Sequence, residues 1–599
     1  MIINTKKKRV PAIVLVAVLL AIPGCTVAQS LSQHTIATIA KSDPLVISGA
    51  VGTQNTYRYS SVGNGYGSPL SNSVYANLNV SVYGITMPFG LYFNNNGLDW
   101  NYPHLSFHID PTYKNWRGHF GRSSMNFNSY VMNMSFNGIG LEYNGDRFRA
   151  GVFYGQLRNA INDDPTDPLA RMPQYKRMGW GFKAGYGSRR NYIDIYFLRA
   201  YDRPNSLDES WRQIVKPAEN VVVGVRGSAA PTKWLSFTAN AATSIFSTDT
   251  DAPKIETPEA KRFDKIFEPR YSSMMRFAGD ANVNFTLPGF STSISYRLVQ
   301  PDYTSLGTYY MSNNYHSLGL NMNTFLFKKV SLSATFSGQS DNLTKQQMFT
   351  TRGFVYNANA STRLGKHFNI NAGYNGYTQV QADGTARIND TIRVHRQMSS
   401  FTLSPSALFE GESLVHTASI SANYTENKDK NRFATGESDV QTLALGANYN
   451  LNVKPWEVDF GLSFSHQESR GYNSKYISRI GSFSTGRSFL TEKNLYVSAS
   501  ASLVYNEVER QSKSLSIGGD VSASYTLKKY HVFSTQASFY KYGDVNMTKT
   551  RSNLDATDIT VSLNYAYTFS LFTIKRKASK LDNPQTKAGK VFRKVIDNL

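Results

Sequence analysis

Apolar and small polar residues alternate over long stretches of this sequence. In residues 521–540 an apolar series at odd positions begins with Val521 and ends with Phe539, interrupted by a lysine pair, and serines occupy many positions between. Residues 559–571 repeat the pattern. Because successive side chains of a β-strand point to opposite faces, each stretch predicts a strand with one apolar and one polar face.

The length of these strands favours a membrane barrel. They span about 11 to 15 residues, more than the 5 or 6 common in soluble sheets, and enough to cross a bilayer at a tilt. After the N-terminus no apolar run of about 20 residues occurs, so no transmembrane helix is expected. Closing the sheet with apolar faces toward lipid leaves a polar lumen and no unpaired edge. The alternative is a soluble all-β repeat such as a propeller or sandwich stack.

Short turns separate the predicted strands at one end, and long polar loops separate them at the other. This asymmetry is typical of the periplasmic and extracellular ends of outer-membrane barrels. The chain between one short turn and the next is long enough for two strands. Counting two strands for each such segment predicts a single-chain antiparallel barrel of about 26 strands, within a range of 22 to 26. The predicted turns are residues 85–90, 113–116, 143–147, 187–191, 229–233, 287–290, 326–329, 364–367, 409–412, 452–455, 490–494 and 528–529.

The N-terminus has the three parts of a secretory signal peptide: a basic cluster, a short apolar segment and small residues before a cleavage site after Ala28. Cys25 leaves acylation open as an alternative to plain cleavage. We therefore predict four regions along the chain. They are a signal peptide at 1–28, a short periplasmic segment at 29–44, an outer-membrane barrel at 45–572 and a basic periplasmic tail at 573–599.

The formal net charge of +22 has two interpretations. The basic residues could attract outer-membrane lipid and lipopolysaccharide phosphates, or they could make the lumen favour anions. No zinc-finger, RNP or helix-turn-helix spacing accompanies the charge, so nucleic acid is not an expected partner. The tail could dock a periplasmic or surface protein, or remain a solvated segment.

Two kinds of strand residue are expected to meet the membrane. Aromatic residues at strand ends, among them Trp234, Phe368, Trp456, Tyr530 and Phe572, suit the membrane–water interface. Along the last strand the odd positions are apolar, and we predict that they face lipid: Val561, Leu563, Tyr565, Tyr567 and Phe569.

Two segments carry a family resemblance. Residues 105–160, "LSFHIDPTYKNWRGHFGRSSMNFNSYVMNMSFNGIGLEYNGDRFRAGVFYGQLRNA", and residues 298–315, "LVQPDYTSLGTYYMSNNY", resemble large uncharacterised outer-membrane β-barrel proteins of the Bacteroidota, a Gram-negative phylum. The resemblance implies location and fold. The second segment is also predicted to fold inward as a loop, with the residues Pro301, Asp302, Tyr303, Gly307, Asn313 and Asn314.

No pattern indicates catalysis. G-x-S-x-G, H-E-x-x-H and Walker motifs are absent from the sequence. His104 and His108 share a strand face, but they lie about 13 Å apart along an extended chain, too far to bind one metal ion. We predict a non-enzyme without catalytic, metal or cofactor sites.

Three functions stay open at this point. A loop-gated channel or porin-like pore is the first, because a barrel of about 26 strands would otherwise leave a wide hole. A barrel component of a secretion or surface-protein assembly complex is the alternative, and an outer-membrane enzyme ranks last. The insertions at 158–177 and 247–272 are long enough to act as lids.

Overall fold

The structure is a computed structural model that describes residues 45–61, 69–82, 85–94, 106–163, 171–257, 266–490, 492–509, 512–544 and 556–574. The predicted signal peptide with Cys25, the segment 29–44, His104 and the tail beyond Ile574 lie outside these residues. No helix among the described residues is long and apolar enough to cross a bilayer.

Almost every described element is a strand. The strands are β1 Leu45–Ser60, β2 Leu70–Val82, β3 Ile85–Asn94, β4 Ser106–Ile109, β5 Thr112–Tyr113, β6 Trp116–Ser123, β7 Phe136–Asn144, β8 Phe148–Arg158, β9 Arg177–Gly187, β10 Tyr192–Asp202, β11 Glu219–Ala229, β12 Leu235–Ser247, β13 Ser273–Leu287, β14 Phe290–Val299, β15 Tyr315–Leu326, β16 Val330–Asp341, β17 Phe349–Leu364, β18 Phe368–Asp383, β19 His395–Glu410, β20 Leu414–Asp429, β21 Val440–Val453, β22 Val458–Arg470, β23 Lys475–Phe489, β24 Leu495–Val508, β25 Ser512–Leu527, β26 His531–Asp544 and β27 Thr557–Ile574. A 3₁₀ turn, Pro204–Ser206, and a short helix α1, Glu209–Ile214, lie between β10 and β11.

Successive strands pair in sequence order, antiparallel throughout β6–β27. β4 and β5 both pair with β6 and together occupy one place in the sheet. β27 pairs with β1, where Thr56 Oγ1 and Ser562 Oγ lie 3.1 Å apart. The closed antiparallel barrel therefore has 26 strand positions, which confirms the predicted fold class and strand number.

The chain divides into two compact units. The larger, Ser48–Asn79 and Met87–Ser570, contains most of every strand. The smaller comprises Met1–Ile47, Val80–Thr86 and Leu571–Leu599. Of this smaller unit the structure describes only the ends of β1, β2, β3 and β27.

Most predicted turns fall between successive strands, including those at 287–290, 364–367 and 490–494. The turn predicted at 85–90 is wrong, because Ile85–Asn94 is β3. Proline and glycine in that segment suggested a turn, yet Pro88 is accommodated in the strand, where its carbonyl accepts a hydrogen bond from the Asp110 amide at 3.0 Å. β27 also extends two residues past the barrel boundary predicted at 572.

The two faces of the barrel wall differ in chemistry. On β25–β27, Val521, Phe533 and Leu563 are 55%, 44% and 56% exposed and share one face. The opposite face carries hydroxyl groups in hydrogen-bond contact, such as those of Ser498 and Ser522 at 2.7 Å. An exposed apolar face and a hydrogen-bonded polar face identify the outer and the lumen side, respectively.

Candidate functional site: two loops on the lumen wall

Two loops from the same end of the barrel cover the lumen face of β7–β14. Loop A is residues 124–135, between β6 and β7, and loop B is residues 300–314, between β14 and β15. A cluster of buried apolar residues joins both loops to the wall. Its loop members include Tyr130, Val131, Tyr303 and Leu306, and its wall members include Phe153, Leu198, Val222, Ala242, Ala278 and Val299.

Loop B is fastened to loop A by hydrogen bonds. Tyr303, only 1% exposed, donates its hydroxyl to the Tyr130 carbonyl at 2.9 Å. Ser305 Oγ donates to the Val131 carbonyl at 2.6 Å. In the other direction, the backbone N–H of Asn133 in loop A donates to the Gly307 carbonyl of loop B at 3.0 Å. The two loops therefore form one packed body.

The residues predicted to fold inward take different places in loop B. Tyr303 and Gly307 are buried against loop A, whereas Asp302 and Asn313 are exposed. The carbonyl of Pro301 accepts a hydrogen bond from Arg276 Nε at 2.8 Å. Asn314 has φ 61° and its side-chain oxygen accepts from the Leu343 amide at 2.9 Å, linking loop B to the next loop along the chain.

Loop A reaches the middle of the wall. The Tyr130 hydroxyl donates to Asp280 Oδ1 at 2.7 Å, and Asp280 is the eighth of the fifteen residues of β13. Lys183 Nζ on β9 donates to the Asn126 carbonyl at 3.1 Å. Burial, together with the hydrogen bond to the Asp280 carboxylate, raises the pKa of Tyr130, and burial raises the pKa of Tyr303. Both hydroxyls therefore stay protonated donors at neutral pH.

Glycines in the wall make room for loop A. A Cβ atom at Gly224 would lie 2.5 Å from Val131 Cγ2, and one at Gly151 would lie 2.7 Å from Met125 Cε. Both distances are shorter than van der Waals contact, so a larger residue at Gly224 would push Val131 of the loop away from the wall, and one at Gly151 would shift the end of the Met125 side chain.

Beside these glycines the lumen wall is charged. Lys183 pairs with Glu142, and Arg149 pairs with Asp194 at 2.7 Å. His119, fully buried, lies 3.1 Å from Glu142 through Nε2. The outer face of the same strands carries exposed apolar residues such as Ile195 and Val223. Apolar side chains thus dominate the outer face of these strands, where Arg199 and Glu219 form an ion pair.

Each insertion predicted as a lid contacts the loop at residues 203–218, which carries α1. The Trp211 indole donates to the Asp163 carbonyl at 2.8 Å, and the Thr250 amide donates to the Pro217 carbonyl at 2.9 Å. Loops A and B, by contrast, supply all the loop side chains of the buried cluster except Ala218. Among the described residues no group of His, Cys, Asp and Glu is arranged to hold a metal ion.

The sequence matches no family model and no curated protein. Among solved structures, OccK8 (OprE) of Pseudomonas aeruginosa is similar at TM-score 0.30 and 10% identity, with 59% of this chain and 93% of that chain covered. OccAB3 of Acinetobacter baumannii is similar at TM-score 0.29 and 10% identity, with 63% of this chain and 98% of that chain covered. The P pilus usher (PapC) translocation pore is similar at TM-score 0.35 and 11% identity, with 88% of this chain and 100% of that chain covered. Similarity this low carries no inference about function.

Proposed function

We propose that this protein is a porin-like channel of the outer membrane in which loops A and B narrow the lumen. The observation that carries the proposal is the pairing of an apolar, exposed outer wall with a charged lumen wall that two loops cover from inside. An apolar outer face suits lipid, and a charged inner face suits a solute path.

The size of the barrel requires such a constriction. A barrel's diameter grows with its strand number, and barrels of 16 to 18 strands already leave an aqueous channel. A barrel of 26 strands needs material in its lumen if it is to remain selective. Loops A and B supply that material with a packed apolar contact to the wall.

The placement in a membrane is supported by aromatic residues at the short-turn end. Trp234, Phe368, Trp456 and Tyr530 lie in or beside short turns between strands, and their side chains are exposed. Trp and Tyr rings prefer the membrane–water interface, because they are apolar with one polar atom. We infer that this ring of aromatic residues marks one boundary of the bilayer.

Planar-bilayer recording tests the proposal. We expect the purified protein to conduct in small, steady steps, and a variant in which a short Gly-Ser linker replaces residues 302–312 to conduct several-fold more. The matched control shortens the loop at 384–394, which connects β18 to β19 and lies outside the buried cluster. Shortening that loop should leave the conductance unchanged.

Two results would count against the channel. Absence of conductance from both the parent protein and the linker variant contradicts it directly. A parent barrel that becomes conducting only after a co-purified protein is removed would favour the alternative, a barrel component of a secretion or surface-assembly complex.

A further inference from the structure

We propose that the cleft between loop A and the lumen wall binds small organic anions through a carboxylate group, with Arg226 as the main contact. This inference rests on the proposed function, because it places a binding site in the path of the solute. It specifies the charge class of solute that the channel favours.

The cleft has a volume of about 680 Å³ and opens between loop A and strands β6–β11. On the loop side it is lined by hydroxyl and amide groups, including those of Ser124, Asn126 and Ser129. Its charged wall residues are Arg117, Arg149, Lys183, Arg226, Glu142 and Asp194. Four cations against two carboxylates give the cleft an excess of positive charge.

Three of the four cations have carboxylate partners. Lys183 pairs with Glu142, and Arg149 with Asp194. Arg117 pairs with Asp110 at 2.9 Å, a residue outside the cleft lining. These pairs neutralise most of the local charge and leave Arg226 as the remaining cation.

Arg226 forms no ion pair within the described part of the chain. Asp194 lies directly opposite it in the register of β10 and β11. However, Arg149 donates to Asp194 Oδ1 from both Nε and Nη2, at 3.2 and 2.7 Å, and the Tyr196 hydroxyl donates to Asp194 Oδ2 at 3.5 Å. Arg226 Nε is buried without an acceptor among the described residues. A buried donor without an acceptor is unfavourable, and a ligand oxygen would satisfy it.

The neighbourhood holds the guanidinium in place for a ligand. The Tyr192 ring lies 5.9 Å from the Arg226 guanidinium carbon and 5.4 Å from that of Arg149. Contact with an aromatic face restrains a guanidinium group while its N–H groups remain free to donate. A guanidinium fork matches the two oxygens of a carboxylate, and this match makes the charge-assisted hydrogen bonds strong and directional.

A glycine in the wall makes room for the ion pair of Arg149 and Asp194, since a Cβ at Gly185 would lie 2.8 Å from Asp194 Cγ and 3.3 Å from Arg149 Nε. Gly185, between Arg149 and Asp194 in the sheet register, is part of the cleft lining. Loop A closes the other side with polar groups that can bind the remainder of a small molecule. A mostly preformed cavity with a few placed polar groups is the usual form of a ligand site.

Saturation-transfer NMR on the full-length protein in detergent tests the site with benzoate and its neutral analogue benzamide. We expect benzoate to bind and benzamide to give no more than the background signal from micelles. Arg226→Gln should weaken benzoate binding about tenfold, the effect of losing one charge-assisted contact. Arg226→Lys keeps the positive charge but loses the paired N–H donors of the guanidinium group. Its affinity for benzoate should therefore lie between those of the parent protein and Arg226→Gln.

The matched control is Arg396→Gln. Arg396 lies on β19, five residues before the outward-facing Phe401, so that it faces the lumen but does not line the cleft. Loss of a lumen charge there should leave benzoate affinity unchanged. Equal weakening by Arg396→Gln, or equal binding of benzoate and benzamide, overturns the site.

Failure of the site and failure of the channel give different results. A barrel that conducts ions but does not distinguish benzoate from benzamide refutes the anion site and leaves the channel intact. A barrel that binds benzoate through Arg226 and conducts nothing supports the site and refutes the channel.

Discussion

The hydrogen bond from the Tyr130 hydroxyl to Asp280 joins the middle of loop A to the barrel wall, and removing it should loosen the loop. A hydrogen bond to a charged group contributes about 1.5–3 kcal/mol. In Tyr130→Phe, Asp280 keeps amide donors from Asn240 and Asn282 at 3.2 and 3.1 Å, so the expected cost is near the lower limit, about 1.5 kcal/mol. The equilibrium constant for displacing loop A should then rise about tenfold.

Cysteine labelling measures this displacement. Met132 in loop A is buried, so Met132→Cys in a Cys25→Ser background should react with a polar maleimide only when the loop leaves the wall. The labelling rate should rise about tenfold in Tyr130→Phe, in proportion to the open population. The control is Tyr310→Phe, the same chemical change at a side chain that is 82% exposed. Equal labelling rates in parent and Tyr130→Phe would refute the role of this bond.

Three further predictions concern the loop contact, the loop hydroxyls and the outer face. Val131→Cys with Gly224→Cys should form a disulfide, because Val131 Cγ2 lies 2.5 Å from an ideal Cβ at Gly224; the oxidised protein should keep the conductance of the parent, and free thiols at both positions after oxidation would contradict this placement. The raised pKa values of Tyr130 and Tyr303 favour the neutral hydroxyls. Their contribution to loop closure should therefore be complete below about pH 10 and decline only above it, and conductance that already rises between about pH 6 and pH 9 would contradict this. Leu563→Asp should impair membrane insertion in a heat-modifiability assay and Ser562→Asp should not, since the former is 56% exposed on the apolar face; equal effects would refute the face assignment.

The alternation of side chains was sufficient to predict the barrel. In β24–β27, lipid and lumen place opposite demands on adjacent residues, so the period of two is visible in the sequence. Short turns such as 364–367 and 490–494 were visible for the same reason, because they interrupt two periodic runs. The pattern failed at 85–90, where Pro88 and Gly90 imitate a turn inside β3.

The loop–wall contact could not be predicted in the same way. The bond between Tyr130 and Asp280 joins residues 150 positions apart, and no local pattern records such a pairing. Loop A has the composition of a strand, with Met125, Phe127 and Val131 at odd positions. Nothing local shows that these side chains pack on a wall rather than face lipid.

The strands beneath the loops do carry a signal, which is the loss of alternation. β10 and β11 are apolar on both faces: Leu198 and Val222 point to the lumen, whereas Ile195 and Val223 point outward. An apolar residue on a water-filled lumen wall would be exposed to solvent at a cost, so a strand that is apolar on both sides implies a covering element inside the barrel. The covering elements here are loops A and B, which bury those two lumen residues completely. Where alternation fails in a long barrel strand, the sequence therefore marks the part of the wall that a loop occupies.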